Sequence, residues 1–290
     1  MASNMTRRVA FAVVAIPAVL GVAWLGGWVF AALLAIAGAL GAREVYDFAG
    51  HQGIRPLRRW GMAAAAGTPL AIALTMFAPG FAGQLITSGY LYLLWFISVL
   101  TIALWRRGPG DKPLTAVAVT VFGVMYASWL LSFALVLRHP HPVPGMSDAT
   151  VGMALLFYPL ILTWVGDSAA MAGGKTFGGA KMAPVVSPNK TWSGGLSGLF
   201  GTVALSLIYA ALVFERAGVS VSVVEAIVMG VVISIAGQVG DVAESLFKRE
   251  IGVKDSSTLI PGHGGVLDRL DSLYFVVPVT ALMYRLAGIA

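Results

Sequence analysis

The apolar residues of this chain fall in blocks, each near the roughly 17–25 residues that a bilayer-spanning helix needs. Nine blocks are counted: Val9–Leu25, Trp28–Ala42, Trp60–Phe77, Leu85–Trp105, Leu114–Leu137, Val151–Met171, Leu196–Val213, Val221–Glu244 and Leu270–Ile289. Only the Gly26-Gly27 break separates the first two. The first block lacks a clear cleavage site and others follow at once, so it reads as a span and not as a signal peptide. The pattern predicts an all-α, polytopic integral membrane protein of about nine transmembrane helices.

Composition sharpens this. Of 290 residues, 58% are hydrophobic and 11% charged, against about a quarter charged in a soluble domain. So few charges cannot coat a soluble surface. Cysteine is absent, which excludes a disulfide scaffold, a cysteine-ligated zinc site and an iron–sulfur protein. The net charge of +6 has a topological explanation. With connections numbered alternately and the N-terminus inside, 16 of the 19 basic residues fall on the inner side; only Arg138, Arg216 and Arg285 fall outside. This is the asymmetry of the positive-inside rule, and no nucleic-acid partner is needed to explain it. The expected location is the cell's inner (plasma) membrane, multi-pass, with a cytoplasmic N-terminus.

The two longest polar stretches, Gly173–Gly195 and Ser245–Arg269, both fall on the cytoplasmic side. The first five spans carry few chemically useful groups. The chain therefore divides into an N-terminal transmembrane scaffold, 1–149, and a C-terminal catalytic region, 150–290. On the outer side, His139 and His141 in a proline-rich loop read as parts of a connector, with a metal pair as the alternative.

Ionisable residues within spans are costly and point to function. Asp167, Asp241, Glu244, Asp268 and Asp271 all lie at cytoplasmic span ends. Residues three apart share a helix face, so Asp241 faces with Glu244 and Asp268 with Asp271. Gathered carboxylates repel unless a cation lies between them, and oxygen ligands suit Mg²⁺, with a second cation possible. The alternative is that each acid is capped by Lys248, Arg249 or Arg269. The complement is basic and glycine-rich: a flexible Gly173-Gly174-Lys175-Thr176-Phe177-Gly178-Gly179, then Ser187-Pro188-Asn189-Lys190-Thr191-Trp192, then a helix opening near Gly194. A helix start favours phosphate, although P-loop spacing is missing. Trp164 and Trp192 read as interfacial anchors.

The densest stretch runs Ser245-Leu246-Phe247-Lys248-Arg249, Lys254-Asp255, and Pro261-Gly262-His263-Gly264-Gly265-Val266-Leu267-Asp268-Arg269-Leu270-Asp271. Acids that hold metal, cations that hold phosphate and glycines that let the backbone approach an anion suit phosphoryl or nucleotidyl transfer. The stretch resembles the motif of the CDP-diacylglycerol synthases, or phosphatidate cytidylyltransferases: S-x-apolar-K-R, four residues, K-D, then P-x-H-G-G-apolar-x-D-R-apolar-D. Every fixed position is met. Upstream, Lys175, Phe177-Gly178, Lys181, Pro184, Ser187-Pro188 and Lys190-Thr191 resemble the family's second region. Asn189, Ser193 and Ser257 depart from its usual lysine, glutamate and glycine.

The resemblance implies a magnesium-dependent membrane transferase of phospholipid synthesis, a nucleotidyltransferase. It would convert CTP and phosphatidic acid to CDP-diacylglycerol and pyrophosphate at the cytoplasmic face, and it suggests a homodimer among membrane lipids. On this reading Asp241 and Asp268 are the principal metal ligands, with Glu244 and Asp271 assisting. Lys248, Arg249, Lys254 and Arg269 surround phosphates, and His263 sits near the leaving pyrophosphate. Lys175, Ser187 and Lys190 close over CTP or position the lipid phosphate; Asp167 holds a ligand or braces Lys190. The alternatives are a CTP-dependent enzyme for another lipid phosphate or a lipid alcohol, and a transporter. A CDP-alcohol phosphatidyltransferase is excluded, since its D-G-x-x-A-R element is absent.

Overall fold

The computed structural model describes residues 2–78, 80, 83–84, 86, 89–140, 147–260, 262 and 264–289, with residues 2–12 by backbone alone. The elements are α1 (Ala2–Leu25), α2 (Gly27–His51), α3 (Arg58–Phe77), α4 (Tyr90–Arg106), α5 (Pro113–Arg138), α6 (Asp148–Phe177), β1 (Lys181–Ala183), β2 (Ser187–Thr191), α7 (Trp192–Phe214), α8 (Val223–Glu250), α9 (Leu267–Leu270) and α10 (Leu273–Leu286). Among the described residues the fold is all-α apart from one antiparallel hairpin, in which Lys181 pairs with Thr191 and Ala183 with Ser187.

Among the described residues, six helices are long and apolar enough to cross a membrane: α2, α3, α5, α6, α7 and α8. The expected span at Val9–Leu25 falls within α1, a helix of 24 residues, and that at Leu85–Trp105 falls on the shorter apolar helix Tyr90–Arg106. The expected last span falls on α10, whose 14 residues reach about 21 Å at 1.5 Å per residue.

Several helices outrun their apolar blocks. A hydropathy block stops where charge begins, but backbone hydrogen bonding does not. Thus α2 continues nine residues past Ala42 and carries Glu44 and Tyr46, both buried. The stretch Gly173–Phe177, expected to be flexible, is the last turns of α6. A Cβ at Gly173 would meet Ser197 at 1.9 Å, so the glycine seats α7 directly against α6.

The chain divides into two compact units. The first comprises Met1–Leu135 and Ile251–Arg269. Its helices close around Leu57, Val99, Ala103 and Val117. Tyr46 wedges against Gly61 of α3 and Gly123 of α5, where any Cβ would collide with its ring, and its hydroxyl donates to the Thr120 carbonyl at 2.8 Å. This locks the rotation of α2, and hence where Glu44 points. The second unit comprises Val136–Glu250 and Leu270–Ala290. One end of it is an aromatic cluster of Tyr158, Tyr209, Phe214 and Tyr284, with ring centroids 4.9–6.3 Å apart. Each tyrosine hydroxyl is bonded: Tyr158 to Ser206 (2.6 Å), Tyr209 to the Ala154 carbonyl (2.8 Å) and Tyr284 to the Leu155 carbonyl (3.2 Å). Asp167 lies nine residues from Tyr158, about 13 Å along α6. The aromatic end is thus the anchor, and the glycine-rich end is where an opening can form.

Candidate active site

In the second unit that opening is a cleft of about 650 Å³, within the usual range for ligand pockets. Its walls are Asp167 and Lys175 of α6, Lys181 and Asn189–Thr191 of the hairpin, Gly194 and Gly195 at the start of α7, and Gln238 and Asp241 of α8. Three lysines and two aspartates therefore face one space.

Local sequence explains the arrangement. Thr191 caps α7, its hydroxyl accepting from the Gly194 N–H at 3.2 Å, which leaves the helix's positive end at the cleft. Ser193 donates to the Gly178 carbonyl and ties the end of α6 to the start of α7. A Cβ at Gly194 would stand 2.8 Å from the Ala170 carbonyl, so a glycine is needed for that approach. Gln238, one turn before Asp241, donates to the Gly195 carbonyl at 3.2 Å and to Ser234 at 3.1 Å.

The charges form a set. Lys190 Nζ lies 2.6 Å from Asp241 Oδ2, with side chains 26% and 34% exposed. Asp241 and Asp271 act on Asp167 as like charges, and Lys190 as the opposing one. Asp271, in the turn before α10, comes close to α8 because Gly240 leaves room: a Cβ there would meet the Asp271 carbonyl at 2.8 Å. Its carboxylate accepts from the Ser272 N–H at 2.7 Å.

Other expected site residues stand elsewhere. Glu244, fully buried, pairs with Lys248 at 3.0 Å across one turn of α8. Neither lines the cleft. Arg249 donates to the Val186 carbonyl at 3.3 Å and so braces the hairpin turn. Ser187 opens β2 and does not line the cleft. Trp164 and Trp192 are exposed and do not line it either. His139 is pushed down to about 4 by burial and by the Arg138 charge; His141 lies outside the described residues.

The first unit holds the rest of the long motif. Asp268 is buried, and its Oδ2 accepts from the Ser256 N–H (2.7 Å), the Ser256 hydroxyl (2.8 Å) and the Gly265 N–H (2.9 Å). Lys254 and Arg269 are exposed, and His263 lies outside the described residues. The sequence reading took the glycines here as room for an anion. The anion they approach is the protein's own: a Cβ at Gly264 would stand 2.4 Å from Asp268 Oδ2, and one at Gly265 would stand 2.4 Å from both oxygens of Glu44.

The four acids expected as metal ligands thus divide by environment. Among the described residues, no group of three or more Asp, Glu or His side chains could hold a metal ion. Glu244 is matched by a lysine and Asp268 by backbone donors. Asp241 and Asp271 keep their place beside Asp167 and Lys190. Asp241 already has an ammonium at 2.6 Å; a hard ion there would find only one or two carboxylates and would need phosphate oxygens to complete its shell. The sequence reading missed Glu44 and Gln238. The spacing of Gln238, i and i+3 with Asp241, could have revealed it; nothing local marks Glu44.

Comparison with known proteins agrees over the whole chain. The pattern of the Cytidylyltransferase family matches residues 6–287. A phosphatidate cytidylyltransferase of Brucella suis is 33% identical over 99% of this chain and 94% of its own length. A chloroplastic phosphatidate cytidylyltransferase 5 of Arabidopsis thaliana is 31% identical over 99% of this chain and 73% of its own. A phosphatidate cytidylyltransferase of Haemophilus influenzae is 44% identical over a shorter stretch, 47% of this chain and 48% of its own. Carrying the family pattern almost from end to end, the chain belongs to the cytidylyltransferase family, and it is a nucleotidyltransferase.

Proposed function

We propose that this enzyme transfers the cytidylyl group of CTP to phosphatidic acid, forming CDP-diacylglycerol and releasing pyrophosphate. The observation that carries the reading is the cleft: lysines and aspartates around glycine-lined backbone at one end of membrane-length helices. A lipid phosphate lies at headgroup level and CTP arrives from water, so an acid-and-lysine cleft at helix ends suits both.

In the proposed reaction an oxygen of the lipid phosphate forms a bond to the α-phosphorus of CTP. The α–β bridging bond breaks, and its electron pair leaves on pyrophosphate. The second pKa of a phosphate monoester is about 6, so the nucleophile is largely ionised near neutral pH and needs no strong base. The protein's main work is to offset repulsion between two anions. Lys175, Lys181 and Lys190 surround the triphosphate, and the start of α7 adds its N–H groups and dipole. Asp241, with Asp271 and Asp167 beside it, would hold Mg²⁺, which when bound supplies charge neutralisation for the phosphates. Lys190 would then exchange its aspartate partner for phosphate. Arg249 and Ser187 keep the hairpin in place, and the Glu244–Lys248 pair sets the end of α8. The family resemblance assigns Lys254, His263 and Arg269 of the motif loop to phosphate binding, while Asp268 holds its own turn. The bias of basic residues supports an inner-membrane setting with the cleft and motif loop on the cytoplasmic side, and the enzyme is proposed to act as a homodimer.

The test is purified protein in detergent with CTP, phosphatidic acid and a Mg²⁺ series. Stoichiometric pyrophosphate and CDP-diacylglycerol are expected. Release of CDP would identify a lipid kinase. Turnover only with another lipid phosphate would move the substrate, and ion flux without CTP consumption would overturn the enzyme reading for this cleft.

A further inference from the structure

Glu44 belongs to none of the motifs. It sits on α2 with 2% of its surface exposed. A carboxylate in such a place is costly unless its oxygens are bonded. Each of its two oxygens has two donors. Oε1 accepts from the Ser257 hydroxyl (2.7 Å) and the Val266 N–H (3.0 Å); Oε2 accepts from the Ser256 hydroxyl (2.9 Å) and the Leu267 N–H (2.9 Å).

The donors come from both legs of one turn. Ser256 and Ser257 lie before the Ile260–Gly264 bridge, and Val266 and Leu267 lie after it. Asp268 binds the same legs from within, through Ser256 and Gly265. The Ser256 hydroxyl stands between the two carboxylates, and its single proton serves one at a time. A side chain at Gly265 would run into the Ser256 hydroxyl and the Glu44 carboxylate, which together fill that space.

An apolar side chain could fill the Glu44 site at lower cost, since buried ions are often replaceable by hydrophobic groups. What it could not supply is direction: four acceptor positions that set where the legs of the turn run. We propose that Glu44 is a positioning residue that staples the two legs of the turn, Ser256–Ser257 and Val266–Leu267, and so holds the adjoining motif residue Arg269 in register for the reaction. The link to the reaction rests on the function proposed above; the staple itself does not. Ser257, where the family usually has glycine, supplies one of the four donors.

The experiment compares wild type, Glu44→Gln and Ser257→Ala. An amide accepts through one atom only, so Glu44→Gln leaves one backbone N–H facing an NH₂, while the serine hydroxyl beside it can turn to accept. Hydrogen exchange at residues 264–267 is expected to rise at least tenfold in Glu44→Gln and a fewfold in Ser257→Ala. Exchange in α6–α8 should stay near wild type, while the melting temperature in detergent should fall in Glu44→Gln, which leaves a buried donor unsatisfied. The kcat should fall at least tenfold in Glu44→Gln with KM for CTP within twofold. Unchanged exchange at 264–267, or a rise spread evenly over the chain, would overturn the staple; Ser257→Ala decides this if Glu44→Gln fails to fold. Faster local exchange with unchanged kcat would overturn the positioning role. Wild type inactive on CTP and phosphatidic acid would instead sink the proposed function, with the exchange result still deciding the staple.

Discussion

Two groups of carboxylates look alike in the sequence and differ in the structure. In the cleft, Asp241 is a third exposed and bonded to a lysine that is itself partly exposed. In the motif loop, Glu44 and Asp268 are buried and surrounded by hydroxyl and backbone donors from their own turn. A carboxylate whose partner is a mobile ammonium can exchange that partner for a cation or let it go to phosphate. A carboxylate held by main-chain N–H groups cannot change partners without unmaking the loop. On the proposed function the first kind works on ligands, and the second builds the shape that work requires.

The largest effect should come from the exchangeable kind. Asp241→Asn removes the charge that Lys190 and a divalent cation would share. Turnover is expected to fall about a thousandfold, the scale of losing a key electrostatic group. Since the Lys190 pair is partly solvated, folding should lose no more than about 1 kcal/mol. Activity and thermal melting of one preparation check both. A large loss of stability with little loss of turnover would invert the comparison.

Glu244 should show the opposite profile. Glu244→Gln removes the carboxylate paired with Lys248 and leaves it Asp271 as the remaining nearby acid, so the loss should approach but not exceed the roughly 3–5 kcal/mol of breaking a buried pair. The double variant Glu244→Gln/Lys248→Met should recover much of that. Denaturant unfolding in detergent reads the difference. If Glu244→Gln folds as wild type and only its Mg²⁺ dependence shifts, Glu244 belongs with the cleft acids after all.

Lys190→Met probes the cleft from its cationic side. A charge-assisted hydrogen bond contributes about 1.5–3 kcal/mol, so KM for CTP should rise about ten- to a hundredfold. The expected stability change is small, because Asp241 can be hydrated once the lysine is gone. Unchanged KM would mean that Lys190 serves Asp241 alone.

These contrasts also mark what the sequence made legible. Helices of membrane length follow from hydropathy and the motif from its resemblance to a family; that Lys175, Lys190, Asp167 and Asp241 line one cleft is seen only in the fold. So is the helical course of Gly173-Gly174, since two glycines argue for flexibility until Ser197 and Thr191 are placed against them. Glu44 was illegible for a deeper reason. Its partners lie more than 200 positions away, and two of them are backbone N–H groups that every residue but proline carries. No residue pattern records that a main-chain donor will arrive at a given place. The same blindness hid the donors of Asp268, whose Oδ2 is held by the loop it belongs to.

The smallest effect tests the same contrast through glycine. In the loop, a methyl at Gly265 would run into the Glu44 carboxylate, which four donors hold still. In the cleft, a methyl at Gly195 would meet the end of the Met182 side chain at 2.3 Å and Gln238 Oε1 at 2.9 Å. The Met182 end is flexible and rotates away readily, and Gln238 can shift its amide toward the open cleft. Gly195→Ala, which also favours the helical backbone at the start of α7, should therefore change stability by no more than about 1 kcal/mol and turnover only a fewfold. Gly265→Ala should cost clearly more in both, because no neighbour there can move alone. Melting curves and initial rates measured side by side decide it. Equal damage from the two methyls would mean that the cleft wall is as rigid as the stapled loop, and that exchangeable partners do not come with yielding surroundings.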